Sequence, residues 1–492
     1  MGSASAVSGR GREWLARRFA IDVRALAAFR ILLGAILLSD LALRARNLRW
    51  FYTDAGVLPR SVLRATFPGY QYVSVHALSG AFWVQVLLFL LAGVAALALL
   101  AGFQTRIATV ISLLFLLSLQ ARNPLVLNAG DVLLRRLLFW SVFLPLGAEW
   151  SLDRSQTASR ERVVSVASAA LLLQVVTLYA VNAALKLRAS PWRDGTAVRY
   201  AFSLEQFLVL FGDVLADFPV VLMAATWGWL ALLACSVLLV ALTGRSRAAF
   251  VGLFVAAHLG MLLTLKLGLF PVICLAALLP FLPTAIWDAV ERRAPALSMD
   301  RLRRRETTPL ERRLPDALPS LGRQLGMGIV AVLLAGMLAF NAVSVAHVDA
   351  AGVDASTIAE HQHWSMFAPS PPKTDGWFVV PGTLTNGSRV DVLTQSPVRW
   401  AKPPDVSRRY PTARWRKYLA RVESGEANRR AFARSLCRRW QRQHARPLDA
   451  VSVYYVAQPT RLTGPEPTRT RRLLTYECEN ETAATSGGAT EF

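Results

Sequence analysis

Lysine at the end of an apolar segment is the residue of this chain best suited to acid–base chemistry. Arginine keeps its proton in a protein, whereas a lysine removed from water can lose its proton and act as a base. Lys186 and Lys266 both end apolar runs, in a chain that carries most of its positive charge on arginine. The alternative is that both amines extend to lipid headgroups. The lysines of the chain are Lys186, Lys266, Lys373, Lys402 and Lys417.

The neighbours of Lys186 make it the stronger candidate of the two. Asn182 precedes it by four residues, which predicts that both side chains lie on one face of a helix. Trp192 follows, in a position that suits the aromatic belt of a membrane interface. Lys266 is followed by Gly268, in a sequence typical of a turn between two spans. Lys186 is therefore the stronger candidate for a base, and extension of its amine to the headgroups remains the alternative.

Two polar clusters flank apolar segments. Asp54–Pro59 is typical of a turn, and His76 follows it without partners that would make a metal site or a triad. The second cluster runs from Arg122 to Asp131 and includes Asn128. Asp131 is placed to cap the next helix, with Arg122 as its ion partner. Polar groups packed this densely between membrane segments often line a cavity.

The remaining histidines do not indicate a metal site. His258 lies within an apolar run, where a neutral, hydrogen-bonded imidazole is expected. His361 and His363 have no carboxylate or cysteine at metal-ligand spacing, so we expect no metal. The sequence contains no glycine-rich phosphate loop, no paired zinc histidines on a helix and no Gly-x-Ser-x-Gly elbow. Templates of soluble enzymes therefore do not apply.

The four cysteines fall into two pairs of different character. Cys235 and Cys274 lie within apolar runs and are expected to pack there. Cys437 and Cys478 share the polar C-terminal region. They are a possible disulfide if that region meets an oxidising compartment.

Composition indicates an integral membrane protein. Of the 492 residues, 54% are hydrophobic and only 18% are charged, below the roughly 25% of soluble proteins. A chain of this length and composition needs several segments solvated by lipid. The net charge of +23 is explained by arginines beside apolar runs and in the C-terminal quarter. We expect contact with the headgroups of the lipid bilayer rather than nucleic acid.

Apolar segments of membrane-spanning length recur with short breaks, and they predict an all-α polytopic membrane domain over residues 25–345 with about nine transmembrane helices. The third and fourth are short enough to be tilted, re-entrant or buried among the others. The expected spans are Ala25–Leu43, Ala81–Ala101, Ile107–Leu119, Val132–Leu146, Val163–Leu185, Val220–Leu242, Ala248–Leu267, Leu269–Ile286 and Leu325–Val345.

Arginine distribution predicts the topology. With the basic tail of residues 1–24 in the cytoplasm, the inside loops carry most of the loop arginines, and the most basic loop is 289–324. An odd number of spans then places the C-terminus outside. We expect a multipass protein of the plasma membrane with a cytoplasmic N-terminus and an extracytoplasmic C-terminus.

Residues 346–480 predict a small extracytoplasmic α+β domain, followed by a disordered tail over 481–492. The expected elements are a β-hairpin of Trp377–Leu384 and Arg389–Leu393 around Asn386–Gly387, helices Ala413–Val422 and Asn428–His444, and strands Ala450–Ala457 and Leu473–Cys478.

Taken together, these stretches resemble the HTTM family, the membrane domain related to vitamin K-dependent γ-carboxylase. The resemblance covers most of residues 20–400. The stretches that carry it are Tyr52–Pro59, Arg122–Asn123, Asn128–Asp131, Phe143–Gly147, Trp150–Asp153, Lys186 with Trp192 and Gly195, Trp364–Pro371, Asp375–Trp377 and Asn386–Gly387.

The resemblance implies a lyase that uses a reduced, vitamin K-like quinone, oxygen and carbon dioxide. In the eukaryotic carboxylase, a lysine after a membrane helix deprotonates the reduced quinone, and Lys186 occupies the similar position. Two departures matter: Leu185 stands where the carboxylase has a second lysine, and Ala129 stands where it has the histidine of an Asn-His pair.

Three functions therefore stay open. The first is a carboxylase-like enzyme with Lys186 as base and an extracytoplasmic protein or peptide substrate. The second is a non-catalytic membrane scaffold or binding protein that presents the C-terminal domain. The third is a small-molecule transporter, for which the sequence shows no inverted repeat. In the first, the expected substrate or cofactor pocket is formed by Asn128, Asp131, Arg122, Trp192, Asn182, His76 and Asp54.

Overall fold

A computed structural model describes residues 13–152, 161–293, 328–339 and 366–478. Helices dominate the first part of the chain, and a sheet with two helices forms the last part. The longer helices are α1 Val23–Ala45, α2 Phe82–Ala101, α3 Thr105–Arg122, α4 Ala129–Ser141, α5 Val166–Leu187, α6 Pro219–Ala234, α7 Gly244–Thr264, α8 Phe270–Leu278, α9 Thr284–Arg293, α10 Gly328–Ala339, α11 Ala413–Ser424 and α12 Glu426–Gln443.

Short helices occupy the connections. They are Leu48–Tyr52, Arg60–Thr66, Ser190–Arg193, Ala197–Phe202, Gly212–Ala216 and Leu238–Ala241. Single 3-10 turns are Tyr70–Tyr72, Val75–Ala77, Pro124–Val126, Glu205–Phe207, Leu279–Phe281 and Val406–Arg409.

Five helices in the described ranges (α1, α2, α3, α5 and α7) are long and apolar enough to cross a membrane, and a sixth span results if α8 and α9 count as one broken helix bent by 106°. The protein is thus a mostly helical membrane protein, but the expected count of about nine spans is not confirmed. Over the residues that the structure describes, each expected span coincides with a helix. The difference is length: α6 has 16 residues and α4 has 13. For the expected span Leu325–Val345, only the part within α10 lies in the described residues.

The shortness of α4 follows from its position inside the bundle. It begins at a capping box, and most of its side chains are buried. It packs against α3, α5 and α8 rather than facing lipid along its length. A helix enclosed by its neighbours does not need to match the membrane thickness.

One end of the bundle gathers the segments expected on the cytoplasmic side. Strands β1 (Ile21–Asp22) and β2 (Arg162–Val163) pair there in antiparallel fashion. Arg24 forms an ion pair with Asp288 at 2.8 Å, which joins the start of α1 to α9. Arg247 at the start of α7 donates to the backbone carbonyl of Arg18. These segments lie at the same end of the helix bundle. That this end faces the cytoplasm stays a prediction.

The C-terminal domain, described over residues 366–478, contains a five-stranded antiparallel sheet. Its strands are β3 Thr374–Val379, β4 Pro381–Leu384, β5 Arg389–Asp391, β6 Leu448–Pro459 and β7 Arg469–Glu477. The long strand β6 pairs with β3 and β4 along successive halves of one edge and with β7 along the other. The expected single strand Trp377–Leu384 is therefore two strands, because β3 and β4 pair with different halves of β6. The hairpin around Gly387 is present, with the positive φ of 78° that favours glycine.

The C-terminal domain shares a hydrophobic core with the membrane domain. Trp415 of α11 packs its ring 5.3 Å from that of Trp50 and 5.0 Å from that of Phe51. Tyr418 and Phe432 continue the same cluster toward the sheet. This shared core fixes α11 against the helix ends and places its side chains next to the loops of the membrane domain.

The cysteines occupy different environments. Cys437 of α12 and Cys478 beyond β7 are bonded in the structure, with their Cα atoms 5.7 Å apart. Cys274 is buried, as expected, whereas the expectation that Cys235 packs inside is wrong, because Cys235 is exposed. Both thiols are free. The redox state of the first pair in the cell stays a prediction, because it depends on the compartment.

Candidate functional site

A cavity of about 1200 Å³ lies where the ends of α5, α6, α7 and α8 meet the C-terminal domain. Its wall is mainly apolar on the side of the membrane helices. The apolar side includes Phe202, Phe207, Leu222, Trp229, Met261 and Phe270, and the polar groups include Asn128, Asn182, Lys186, Arg416 and Lys417.

Lys186 lies in the last turn of α5 and is almost fully enclosed, with 1% of its surface exposed. Its Nζ donates to the backbone carbonyl of Met366 at 2.7 Å and lies 4.0 Å from the centre of the Trp192 ring. The indole nitrogen of Trp192 donates to the carbonyl of Phe367 at 3.1 Å. Among the residues that the structure describes, no carboxylate forms an ion pair with this amine. Protein therefore surrounds the amine, which does not reach out to headgroups.

Lys266 is held in a different way. Its Nζ donates to the carbonyls of Ser407 and Tyr410 at 3.1 and 3.0 Å. These carbonyls lie at the end of a 3-10 turn of the C-terminal domain, so the amine ties that turn to the link between α7 and α8. The role that the contacts indicate is structural.

Asn182 and Asn128 reach the same cavity as Lys186. Asn182 lies one turn before the lysine on α5, so the predicted common face is confirmed. Asn128 is the N-cap of α4, and its Oδ1 accepts from the backbone N–H of Gly130 at 2.8 Å. Asp131 completes a capping box by accepting from the backbone N–H of Asn128 at 2.8 Å. Asp131 thus contributes to the cap of α4 as its third residue, but the N-cap itself is Asn128 and not the expected Asp131. Asp131 lies behind the cavity wall.

The ion partners of Asp131 are not those that the sequence suggested. Arg44 of α1 donates to its Oδ1 at 2.6 Å, and Arg414 of α11 donates to the same oxygen at 3.0 Å. Both guanidinium groups also contact Asp40. Two carboxylates and two guanidinium groups therefore form a buried, charge-balanced quartet.

Arg122, expected to pair with Asp131, lies elsewhere, and that prediction is wrong. Its Nη1 donates to the carbonyl of Leu58 at 2.9 Å, and its nearest carboxylate is Asp54 at 3.7 Å. Burial alone would raise the pKa of the Asp54 carboxyl, but hydrogen bonds from the backbone and side chain of Arg60 lower it below its ordinary value. Asp54 and Arg122 therefore stabilise the loop that follows the short helix Leu48–Tyr52 and do not line the cavity.

His76 also lies outside the cavity wall. Its Nδ1 is 2.7 Å from the Oγ of Ser118, and its ring meets that of Phe89 edge-on. Burial, together with the nearby guanidinium of Arg122, lowers the pKa of His76 to about 4. The imidazole is therefore neutral near pH 7. Of the predicted pocket, the structure brings together Asn128, Asn182, Lys186 and Trp192, with Asp131 behind them, and leaves out Arg122, His76 and Asp54.

Sequence reasoning missed the contribution of α11. Arg416 donates to the carbonyls of Gln206 at 3.0 Å and Lys266 at 2.8 Å, and its guanidinium lies 4.1 Å from the centre of the Phe207 ring. Lys417 lines the cavity next to it. A signal was present, since Arg414 to Lys417 interleaves three cations with a tryptophan on one helix.

Metal ligands do not gather in the described parts of the chain, where no three side chains of His, Cys, Asp or Glu come together. The Nδ1 of His258 is 2.8 Å from the carbonyl of Phe254, the hydrogen-bonded state expected of it. His361 and His363 lie outside the described residues.

Helices of membrane-spanning length, with a lysine-bearing cavity covered by a small α+β domain, define a polytopic membrane protein. The family model described as HTTM domain matches residues 19–287, more than half of the chain, and the chain therefore belongs to the HTTM family. The relation to vitamin K-dependent γ-carboxylase is consistent with this family. No curated protein and no solved structure gives a significant match.

Proposed function

We propose that this protein is a membrane enzyme of the carboxylase-related type in which Lys186 is the general base. One observation carries the proposal: a buried amine faces a mainly apolar cavity and has no carboxylate partner among the residues described. A carboxylate at this position would hold the amine as an ammonium ion. Without one, the amine can exchange a proton with a bound molecule.

The wall of the cavity suits a reduced quinone. Trp229, Phe207 and Phe270 supply aromatic and apolar surface for a ring and its hydrocarbon tail. Lys186 and Asn182 supply the polar groups that phenolic oxygens need. When bound, a reduced quinone together with oxygen would supply the driving force for removing a weakly acidic C–H proton.

The residues around Lys186 suit its protonated state. After the amine accepts a proton, the carbonyl of Met366 and the face of the Trp192 ring stabilise the resulting ammonium. Trp192 is itself fixed by its bond to the carbonyl of Phe367. The capping box of Asn128 and Asp131 holds the amide of Asn128 at the cavity wall. Such pre-positioning is what proton transfer requires.

Ala129 limits how far the chemistry of the carboxylase is carried over. It lines the cavity where the carboxylase has a histidine, and a methyl group cannot transfer a proton. The proposal is therefore restricted to the step in which Lys186 removes a proton from the reduced quinone. The substrate of the whole reaction would be an extracytoplasmic protein or peptide. Whether a glutamate is carboxylated is left to experiment.

A non-catalytic scaffold is the second candidate, and the same contacts favour it. The bonds of Lys186 to Met366 and of Trp192 to Phe367 tie the segment that leads into the C-terminal domain to α5 and the turn after it. In that case the amine serves as a clasp, and the protein presents the C-terminal domain to a partner.

Oxygen uptake by the purified full-length protein separates the two. The assay supplies a panel of reduced quinones to the wild type, to Lys186→Arg and to the matched control Lys266→Arg. Arginine keeps the charge and the hydrogen bonds but cannot act as a base. The enzyme proposal expects uptake by the wild type and by Lys266→Arg, and a loss of about 10² or more in Lys186→Arg. Equal uptake by all three proteins contradicts the role of Lys186, and an inert wild type favours the scaffold.

A further inference from the structure

Most cations on the wall of the same cavity have no ion-pair partner among the described residues. The one that does is Arg471, which pairs with Glu423 at 3.1 Å. Elsewhere on the wall, no carboxylate within the described ranges forms an ion pair with the cationic groups. These groups are Lys186, Lys373, Arg416, Lys417 and Arg469. An excess of positive charge around one cavity favours an anionic occupant.

The cationic side belongs mostly to the C-terminal domain and continues directly into the apolar side. Arg416 marks the boundary, because its guanidinium lies over the ring of Phe207 while its N–H groups are used by two carbonyls of the membrane domain. Burial and the neighbouring Arg416 and Arg421 lower the pKa of Lys417. An anion beside Lys417 would offset the free-energy cost of keeping this buried amine charged.

The apolar side has room for hydrocarbon. Gly228 of α6 and Gly260 of α7 line the cavity, and a Cβ built on either would meet nothing within 4 Å. The volume of about 1200 Å³ also exceeds the roughly 300–1,000 Å³ of ordinary ligand pockets. The cavity is therefore large enough for a molecule with both a headgroup and a chain.

We propose that this cavity binds a membrane lipid with an anionic headgroup. The headgroup lies against α11 and β7, and the hydrocarbon chain lies along α6 and α7. The inference concerns binding alone and goes beyond the proposed role of Lys186. Because the lipid chain and the proposed quinone would both occupy the apolar side, the two ligands would compete for it. A lipid fits better than an acidic peptide, because a peptide would satisfy the cations but leave the apolar side of the cavity unfilled.

The test measures binding of fluorescent phosphatidylglycerol to the full-length protein in a neutral detergent. Unlabelled phosphatidylglycerol is expected to displace the probe at least tenfold better than phosphatidylcholine, on the order of what two or more cations contribute. The double variant Lys417→Gln with Arg469→Gln should bind phosphatidylglycerol more weakly, by about fivefold for each cation removed. The matched control is Arg442→Gln with Arg472→Gln, which removes two exposed cations of the same domain that do not line the cavity.

A second pair of variants tests the hydrocarbon side. Gly228→Leu places a side chain in the open space of the cavity and should weaken lipid binding with the cations intact. Gly252→Leu on α7 is its control, since Gly252 is equally open but does not line the cavity. Neither substitution causes a clash at the backbone, since a Cβ at either position meets nothing within 4 Å.

Several results would overturn the lipid assignment. Equal displacement by phosphatidylcholine would show that the headgroup charge is not recognised. Equal weakening by Arg442→Gln with Arg472→Gln would reduce the effect to general surface charge. If glycerol phosphate or hexaglutamate displaces the probe as effectively as the lipid does, the hydrocarbon side is unused. If hexaglutamate does so, the cationic wall is assigned to an acidic peptide. None of these results depends on oxygen uptake, so the role of Lys186 is judged separately.

Discussion

Arg414 of the C-terminal domain donates to the carboxylate of Asp131 at the start of α4, at 3.0 and 3.1 Å. Asp131 in turn holds the backbone of Asn128, whose side chain lines the cavity. A residue of the C-terminal domain is thus linked by two hydrogen-bonded steps to the wall of the candidate site. The covering domain and the membrane domain therefore form one structural unit at this point.

The first prediction concerns this link. Arg414→Met leaves Asp40 and Asp131 with one guanidinium instead of two, and removing a partner from a buried ion pair costs about 3–5 kcal/mol. We expect a clear loss of thermal stability in detergent. The control is Arg430→Gln, which breaks the exposed pair with Glu426 and should cost less than about 1 kcal/mol. Equal midpoints for the two variants would mean that the quartet does not hold the domains together.

The same residues show what sequence can and cannot predict. A cap at the start of α4 was predictable from Asp131, because capping is local chemistry, although the observed capping box makes Asn128 the N-cap. The ion pair of Asp131 with Arg414 spans 283 positions, and no local rule could choose it over Arg122. The bond of Lys186 to Met366 spans 180 positions and was missed for the same reason.

Helix positions were predictable for a related reason. Hydropathy is a local property, so each expected span coincides with a helix. Helix length is set by neighbours instead, as in the enclosed α4 and in the sharp bend between α8 and α9. The count of membrane crossings therefore could not be read from apolar segments alone. The C-terminal elements were recovered, except that pairing with β6 divides one expected strand into β3 and β4.

A second prediction concerns pH. Asp375 is buried at the start of β3, and burial raises the pKa of its carboxyl to about 6, although Lys402 opposes the shift. The folded state thus binds this proton more tightly than the unfolded state, whose pKa is about 3.9. The protonated carboxyl therefore stabilises the folded state fully below about pH 4, and this contribution is lost as the pH rises through about 6. The free energy of unfolding is then lower by up to ~3 kcal/mol at neutral pH.

Asp375→Asn removes this titration. The variant should unfold at a higher temperature than the wild type at pH 7.5, and the difference should shrink toward pH 4.5. Thermal scans of both proteins at several pH values measure it. A difference between the two proteins that does not change with pH would mean that Asp375 does not titrate in this range.

A third prediction concerns topology and rests on the arginine loops. Single cysteines are introduced in a background without the free thiols of Cys235 and Cys274. Ser388→Cys, on the exposed turn between β4 and β5, should react with an impermeant thiol reagent in intact cells. Ser246→Cys at the start of α7, and Ser298→Cys outside the described residues, should react only after permeabilisation. Labelling of Ser246→Cys and Ser298→Cys in intact cells, with Ser388→Cys protected, would reverse the orientation.

The last prediction joins topology to covalent structure. Cys437 and Cys478 are bonded in the structure and enclose a loop with a sequence separation of 41 residues, for which chain entropy gives a stabilisation of roughly 4 kcal/mol. If the C-terminal domain faces an oxidising compartment, the bond should form in the cell. Mass spectrometry of protein alkylated without reduction should then show one linked peptide pair. When alkylation is done in denaturant, the free thiols of Cys235 and Cys274 should be alkylated in the same digest, which shows that the reagent was active. Protein isolated with reductant, or with both cysteines replaced by serine, should unfold at a lower temperature.

Alkylated thiols at both positions, beside alkylated Cys235, would mean that the pair is reduced in the cell, and they would also weaken the extracytoplasmic assignment of this domain.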